Sequence, residues 1–141
     1  MTRMRLSVPE ARRRLAGSRV ARLATAGADG QPHIVAVTFT VDGDVIYTAV
    51  DHKPKTTTNL RRLRNITENP RVSLLADHYS DDWTSLWWAR ADGRAAILTG
   101  ADEISVPVAL LAARYPQYQA DPPDGPVIAI TATSWTAWSY T

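Results

Sequence analysis

Apolar residues recur at every second position along much of this chain, in runs cut short by turn signals. Val35, Val37, Phe39 and Val41 share one parity within Pro32 to Val41, the alternation of a half-buried strand rather than a helix. Asp42-Gly43 is a strong hairpin signal, and Asp44 to Val50 returns as the next strand. Arg19 to Thr25 reads as a strand before the turn Ala28-Asp29-Gly30. Arg71 to Asp77, Ser85 to Ala91 and Arg94 to Leu98 read as further strands, the last two joined by a hairpin at Asp92-Gly93. Val127 to Thr131 closes the set, with a continuation through Trp135 to Ser139. Short helices interrupt the pattern. Ser7-Val8-Pro9-Glu10 has the spacing of a capping box and predicts a helix from Val8 to Ala16 that stops at Gly17. A second helix runs from Thr57 to Ile66, with Leu60 and Leu63 on its buried side, and ends before Asn69-Pro70. A third spans Pro107 to Tyr115, ahead of a rigid loop from Asp121 to Pro126. Many antiparallel strands with short helical inserts predict a mainly β fold, a small barrel rather than a parallel sheet.

The 141 residues are expected to form a single domain, 1–141, long enough for a real core. Hydrophobic content of 45% against 21% charged residues is that of a soluble globular protein. The absence of cysteine removes disulfides, a thiolate nucleophile and cysteine-ligated metal, and fits a reducing compartment. The N-terminus lacks a secretory apolar segment, and no apolar run approaches bilayer length, so the cytoplasm is the expected location. Net charge is only +2, but the cations are clustered: Arg12, Arg13 and Arg14 in one group, Lys53, Lys55, Arg61, Arg62, Arg64 and Arg71 in another. Solvated helix faces account for most of the first. A small polyanionic ligand explains the second as well as nucleic acid does, and no nucleic-acid motif accompanies it.

The stretch Asp51 to Leu60 carries the strongest functional signal. It delivers Lys53, Lys55 and the hydroxyls of Thr56, Thr57 and Thr58 to the start of a helix, directly after an apolar strand. Unsatisfied N–H groups and the helix dipole favour an anion there, phosphate above all. The plainer alternative is a pair of solvated loop lysines and a capping threonine.

Catalytic motifs are scarce. His33, His52 and His78 are widely separated and lack metal-ligand spacing, so no metal site is expected. The nucleophile elbow, the Walker loop and the dinucleotide glycine pattern are missing. If the chain is an enzyme, its hard chemistry is expected to belong to a bound cofactor. Trp83, Trp87 and Trp88 crowd one short segment. Alternation puts Trp87 and Trp88 on opposite faces of a strand, and Trp83, in the acidic loop before it, is the better ligand or interface candidate.

Leu23 to Val35, then Lys53-Pro54-Lys55-Thr56 through Asn59-Leu60, and Asn69-Pro70-Arg71-Val72-Ser73-Leu74-Leu75 resemble, in order and spacing, the pyridoxamine-phosphate-oxidase-like split β-barrel family. Asp77-His78-Tyr79 to Trp83 and Leu86-Trp87-Trp88 resemble its actinobacterial branch that uses the deazaflavin coenzyme F420. The resemblance implies an FMN-binding split barrel with Greek-key-like order and six to seven antiparallel strands. It further implies a homodimer with cofactor sites at the subunit interface. Lys53, Lys55 and Thr56 would hold the cofactor phosphate, with Asn59 near the helix start as a further contact. Ala36, Val37 and Thr38 would lie beneath the ring and offer backbone groups, and Trp83 would approach the ring region. Ala36 stands where many members carry proline. No catalytic acid or nucleophile follows. The implied activity is hydride transfer between F420 and a small conjugated organic substrate. FMN-dependent chemistry on the same scaffold is one alternative; a non-catalytic carrier of flavin, deazaflavin or haem is another.

Overall fold

The computed structural model describes residues 4–50 and 57–141, and for 57–60 the backbone alone. Its strands are β1 (Met4–Arg5), β2 (Ala21–Ala26), β3 (Pro32–Val37), β4 (Thr40–Asp42), β5 (Val45–Ala49), β6 (Arg71–His78), β7 (Trp87–Leu98) and β8 (Val127–Ser139). Helices α1 (Val8–Gly17), α2 (Thr57–Glu68), α3 (Ala101–Arg114) and α4 (Pro116–Ala120) are interspersed. The strands form one antiparallel sheet in the order β3-β2-β6-β7-β8-β5-β4, with β1 paired to β8. The sheet does not close on itself. It is mainly β with short helices, consistent with a split barrel, and its eight strands exceed the expected six to seven.

Two expectations of strand connectivity are corrected. The apolar run Pro32 to Val41 is not one strand: β3 pairs with β2 on one edge, while β4 pairs with β5 on the other. The chain crosses between them at Thr38 and Phe39, where backbone groups are held by side chains rather than by a neighbouring strand. The Phe39 N–H donates to the Tyr115 hydroxyl at 3.2 Å, and that hydroxyl's single proton lies between the Phe39 and Arg19 carbonyl oxygens, 3.0 and 2.9 Å away. Arg114 Nη1 also donates to the Phe39 carbonyl, at 3.0 Å.

Asp92-Gly93 likewise is no hairpin but the middle of the continuous strand β7, which pairs along its length with β6 and β8. The register with β8 slips between Asp92 and Gly93, a β-bulge. Glycine is required here by crowding: a Cβ at Gly93 would lie 2.3 Å from the Thr131 carbonyl oxygen. The true hairpin glycine is Gly43, whose φ of 62° suits the β4–β5 turn.

The interior face is lined by Leu23, Val72, Leu74, Ala89, Ala91, Ile128, Ile130 and Ala137, all buried. Its many alanines leave room for α1, which packs Ala11 and Leu15 against β7 and β8. Ser7 caps α1 by accepting from the Glu10 N–H at 3.2 Å. Glu10 completes no box; its carboxylate is taken by Arg13 and Arg14, which hold its pKa below the usual range. Helix α3 begins six residues before its sequence-predicted start, because Glu103 accepts from the Gly100 N–H at 3.0 Å and Pro107 is accommodated within it.

Replacing Gly93 by alanine should lower unfolding free energy by about 2 kcal/mol, the cost of forcing a methyl group against backbone. Urea denaturation checks it, with the Gly43→Ala variant as a turn-strain comparison.

Candidate functional site

Alternation gives the sheet a second, outward face across β3, β2, β6, β7 and β8. Register fixes its rows. Ala36, Arg22, Leu75, Arg90 and Thr136 lie side by side in one; Ile34, Ala24, Ser73, Asp92 and Ser134 in the next. Asp77, Trp88 and Trp138 form a row at one end, and Arg71 sits opposite Arg94 toward the other. Ile34 is 64% exposed, an unusual position for a large apolar side chain on a sheet face. The charges are largely matched: Arg22 approaches Asp77 at 3.6 Å, Arg90 Nε donates to Asp92 at 3.1 Å, and the Ser73 hydroxyl donates to Asp92 at 2.6 Å. Arg90 also stacks over Trp88.

The sequence-predicted site residues fall into three groups. Lys53, Lys55 and Thr56 lie outside the described residues. Asn59 sits in the first turn of α2, where only the backbone is described. Ala36, Val37 and Thr38 are at the end of β3, the sheet's edge strand, and they differ from one another. Ala36 is exposed on the outward face and Val37 is buried. Thr38 is engaged twice: its carbonyl accepts from the Thr48 hydroxyl at 2.7 Å, and its hydroxyl lies 2.9 Å from that of Tyr118. With Thr38 and Phe39 so held, Ala36 and Val37 are the two of the three expected ring neighbours whose backbone takes no side-chain bond among the described residues.

Trp83 opens a short 3-10 turn, Trp83–Ser85, after β6 and is 52% exposed. Asp82 caps that turn; its bonds to the Thr84 hydroxyl and N–H stabilise the carboxylate and lower its pKa. Nearby, Tyr79, Trp87, Trp88, Trp138 and Tyr140 wall a cleft of about 270 Å³. Trp87 turns inward against the core and Trp88 outward, as alternation requires. Trp88 and Trp138 are direct cross-strand neighbours. Their pairing was invisible in sequence because it depends on the register of strands 50 residues apart. The same holds for Arg22 with Asp77.

Lys53 and Lys55 lie outside the described residues, and the described arginines of the basic run are spread along and beyond α2, which spans roughly 18 Å at 1.5 Å per residue over 12 residues. Arg62 is buried, and Arg71 lies beyond the helix on the outward face.

With the geometry fixed, comparison with known proteins places the chain. The family model described as pyridoxamine 5'-phosphate oxidase matches residues 7–139. The chain belongs to that family. Curated protein sequences return no match. Among solved structures, an FAD-binding protein of Mesorhizobium loti aligns over 100% of both chains at 20% identity and a TM-score of 0.77. A conserved hypothetical protein of Mycobacterium tuberculosis aligns at 26% identity and TM-score 0.72, covering 96% of this chain and 86% of that one. The haem storage protein HutZ of Vibrio cholerae shares the fold at 18% identity and TM-score 0.69, over 94% of each chain. Within this family fold, no group of three or more His, Cys, Asp or Glu that could hold a metal occurs among the described residues. None of its described helices is long and apolar enough to cross a membrane.

Helix α2 is tied to the β2–β3 hairpin by polar contacts. Asn65 donates to Thr25 Oγ1 at 3.1 Å, and Glu68 accepts from the Ala28 N–H at 2.8 Å. His33 lies on the interior side of β3, with its Nδ1 buried and unpartnered among the described residues. Burial first, then the charges of Arg61 and Arg62, lowers its pKa. The folded state therefore prefers neutral His33 and binds fewer protons than the unfolded chain as pH falls below about 6.5. Stability from this residue is present above that value and is lost below it. Denaturant midpoints of wild type should fall between pH 7.5 and pH 5.5 by more than those of His33→Gln; equal falls would remove the assignment.

Proposed function

We propose that this chain is a cytoplasmic, homodimeric oxidoreductase that uses coenzyme F420 to transfer hydride to or from a small conjugated organic substrate. The observation that carries the reading is the open edge of β3. At Ala36 and Val37 the sheet ends, no side chain among the described residues holds the backbone, and the exposed residue is small. A flat heterocycle can lie against such an edge and exchange hydrogen bonds with main-chain groups. The residues present therefore fit a flavin or deazaflavin ring. The reduced ring, when bound, supplies the hydride; the protein supplies position and electrostatics.

Lys53, Lys55 and Thr56 are the proposed phosphate ligands, and Asn59 a proposed contact at the helix start. Thr38 takes a positioning part in this reading: its bonds to Thr48 and Tyr118 fix where the open edge stops. Trp83, half-exposed, is the proposed aromatic contact near the ring. The choice of F420 over FMN rests on charge. F420 carries a phosphodiester and an oligoglutamate tail, and the helix that follows Lys53 and Lys55 bears Arg61 and Arg64. FMN is the runner-up, supported by structural neighbours described as FAD-binding. A carrier role is the third reading, since a haem storage protein shares the fold.

The proposed dimer would use the outward face. Ile34, Ala36, Leu75 and Trp88 give that face apolar surface, and its arginine–aspartate pairs give both signs of charge, as a self-complementary two-fold interface needs. Ile34→Asp should shift the protein to monomer in light scattering and weaken cofactor binding with it. A monomeric wild type would sink the dimer.

Titration of the apo-protein with F420, FMN and haem, followed by tryptophan quenching, tests the cofactor. F420 is expected to bind most tightly, and Lys53→Ala or Lys55→Ala to lose about 1–3 kcal/mol of that affinity. FMN preference would move the protein to the flavin reading. Unchanged affinity in both lysine variants would overturn the phosphate assignment.

A further inference from the structure

The C-terminal end of α3 holds the β3–β4 crossing with a cation. Arg114 is partly buried, and among the described residues no carboxylate pairs with its guanidinium. Its Nη1 donates to the Phe39 carbonyl at 3.0 Å and its Nη2 to the Ser18 carbonyl. The guanidinium carbon lies over the Phe39 and Tyr115 rings, 5.0 and 5.4 Å from their centroids. Taking a guanidinium out of water is costly, and two carbonyls and two ring faces offset that cost without a counter-charge. An apolar side chain packs in such a place at no electrostatic cost. It does not, however, fix two carbonyls from separate chain segments. A lysine, a point charge on a flexible stem, lacks the planar fork that reaches both at once while its face stays on a ring.

We propose that Arg114 is a positioning residue for the cofactor: its fork fixes where the β3 edge stops, and so how Ala36 and Val37 present their backbone to the ring. This role rests on the cofactor reading of that edge. Val37 pairs with Ala21 at the end of the β2–β3 ladder, and only Thr38 separates it from Phe39. Arg114 grips both sides of that end, through Ser18 ahead of β2 and Phe39 after β3. A shift of either segment moves the last ladder pair and the edge with it. Hydrogen bonds from main-chain groups to a ring weaken steeply with such misalignment.

Titration with F420 and with FMN, followed by tryptophan quenching, tests the role in wild type, Arg114→Lys, Arg114→Met and Arg12→Lys. Amide hydrogen exchange across Val37 to Phe39 is measured beside it in the apo-proteins. Arg114→Lys keeps the charge and loses the fork; Arg114→Met fills the same space without a buried charge, and decides the matter if the lysine variant does not fold. Both should weaken binding of whichever cofactor wild type prefers at least ten-fold, and speed exchange across Val37 to Phe39 at least ten-fold. Arg12→Lys alters another partly buried arginine, paired with Asp44 at 2.6 Å and stacked on Trp135. It should melt lower than wild type and leave both readouts unchanged. Wild-type affinity in a folded Arg114→Lys or Arg114→Met, or equal weakening in Arg12→Lys, would overturn the positioning role and leave the cofactor reading in place. A wild type that binds neither F420 nor FMN would overturn the cofactor reading and this role with it.

Discussion

The antiparallel pairing of β7 with β8 is the constraint on which the remaining architecture rests. It runs unbroken from Trp87–Ser139 to Leu98–Val127 except for the slip at Asp92 and Gly93. The two halves of β8 serve different neighbours: Val127 to Thr131 also hold β5, while Trp138 and Ser139 hold β1. A long strand can change partners in this way only if it bends, and the bulge supplies the bend. The Thr131 carbonyl lies so close to Gly93 that any side chain would force the strands apart. One glycine without positive φ thus decides how the sheet curves around α1.

Curvature then sorts the residues. Inside, Ala89, Ala91 and Ala137 are small enough for α1 to approach and for Leu15 to be fully buried. Outside, Trp88, Arg90 and Trp138 alternate with them on the same strands. The edges follow from the same topology. β4 closes one side, and β3 is left as the other, reached by a crossing that Tyr115 and Arg114 hold in place. Burial lowers the Arg114 pKa, yet its carbonyl partners favour the charged form; it spans α3 and the Ser18 and Phe39 carbonyls. An edge strand fixed by side chains from a helix has no further strand beside it among the described residues.

Period-two alternation made most strands of this fold legible, and capping and turn residues located α1 and α2 but not the start of α3. What it could not carry was connectivity between strands. Asp92-Gly93 has the composition of a hairpin, and nothing local distinguishes it from a bulge; only the presence of β8 on the far side of β7 does. Val37 to Phe39 kept its alternation through the crossing because Phe39 is buried on leaving β3 just as it would be within it. Ala36 to Thr38 are contiguous and were named from the family resemblance, but sequence did not show that Thr38 is committed to Thr48 and Tyr118. The outward rows were not legible, since Arg22, Asp77, Arg71 and Arg94 meet only through register.

Those rows also bear on where reactivity resides. Asp77 and Asp92, the carboxylates that register brings onto the outward face, each lie within ion-pair reach of an arginine. His78 stacks against Trp87, and the Tyr79 hydroxyl donates to Asp81. A general acid or base works best when its proton affinity is poised near the working pH and it faces the reacting atoms. The carboxylates of this face are instead engaged by arginine side chains. The described side chains of this face are therefore suited to binding, orienting and matching charge. A sheet face whose described charges are paired in this way selects what may lie against it by shape and by charge.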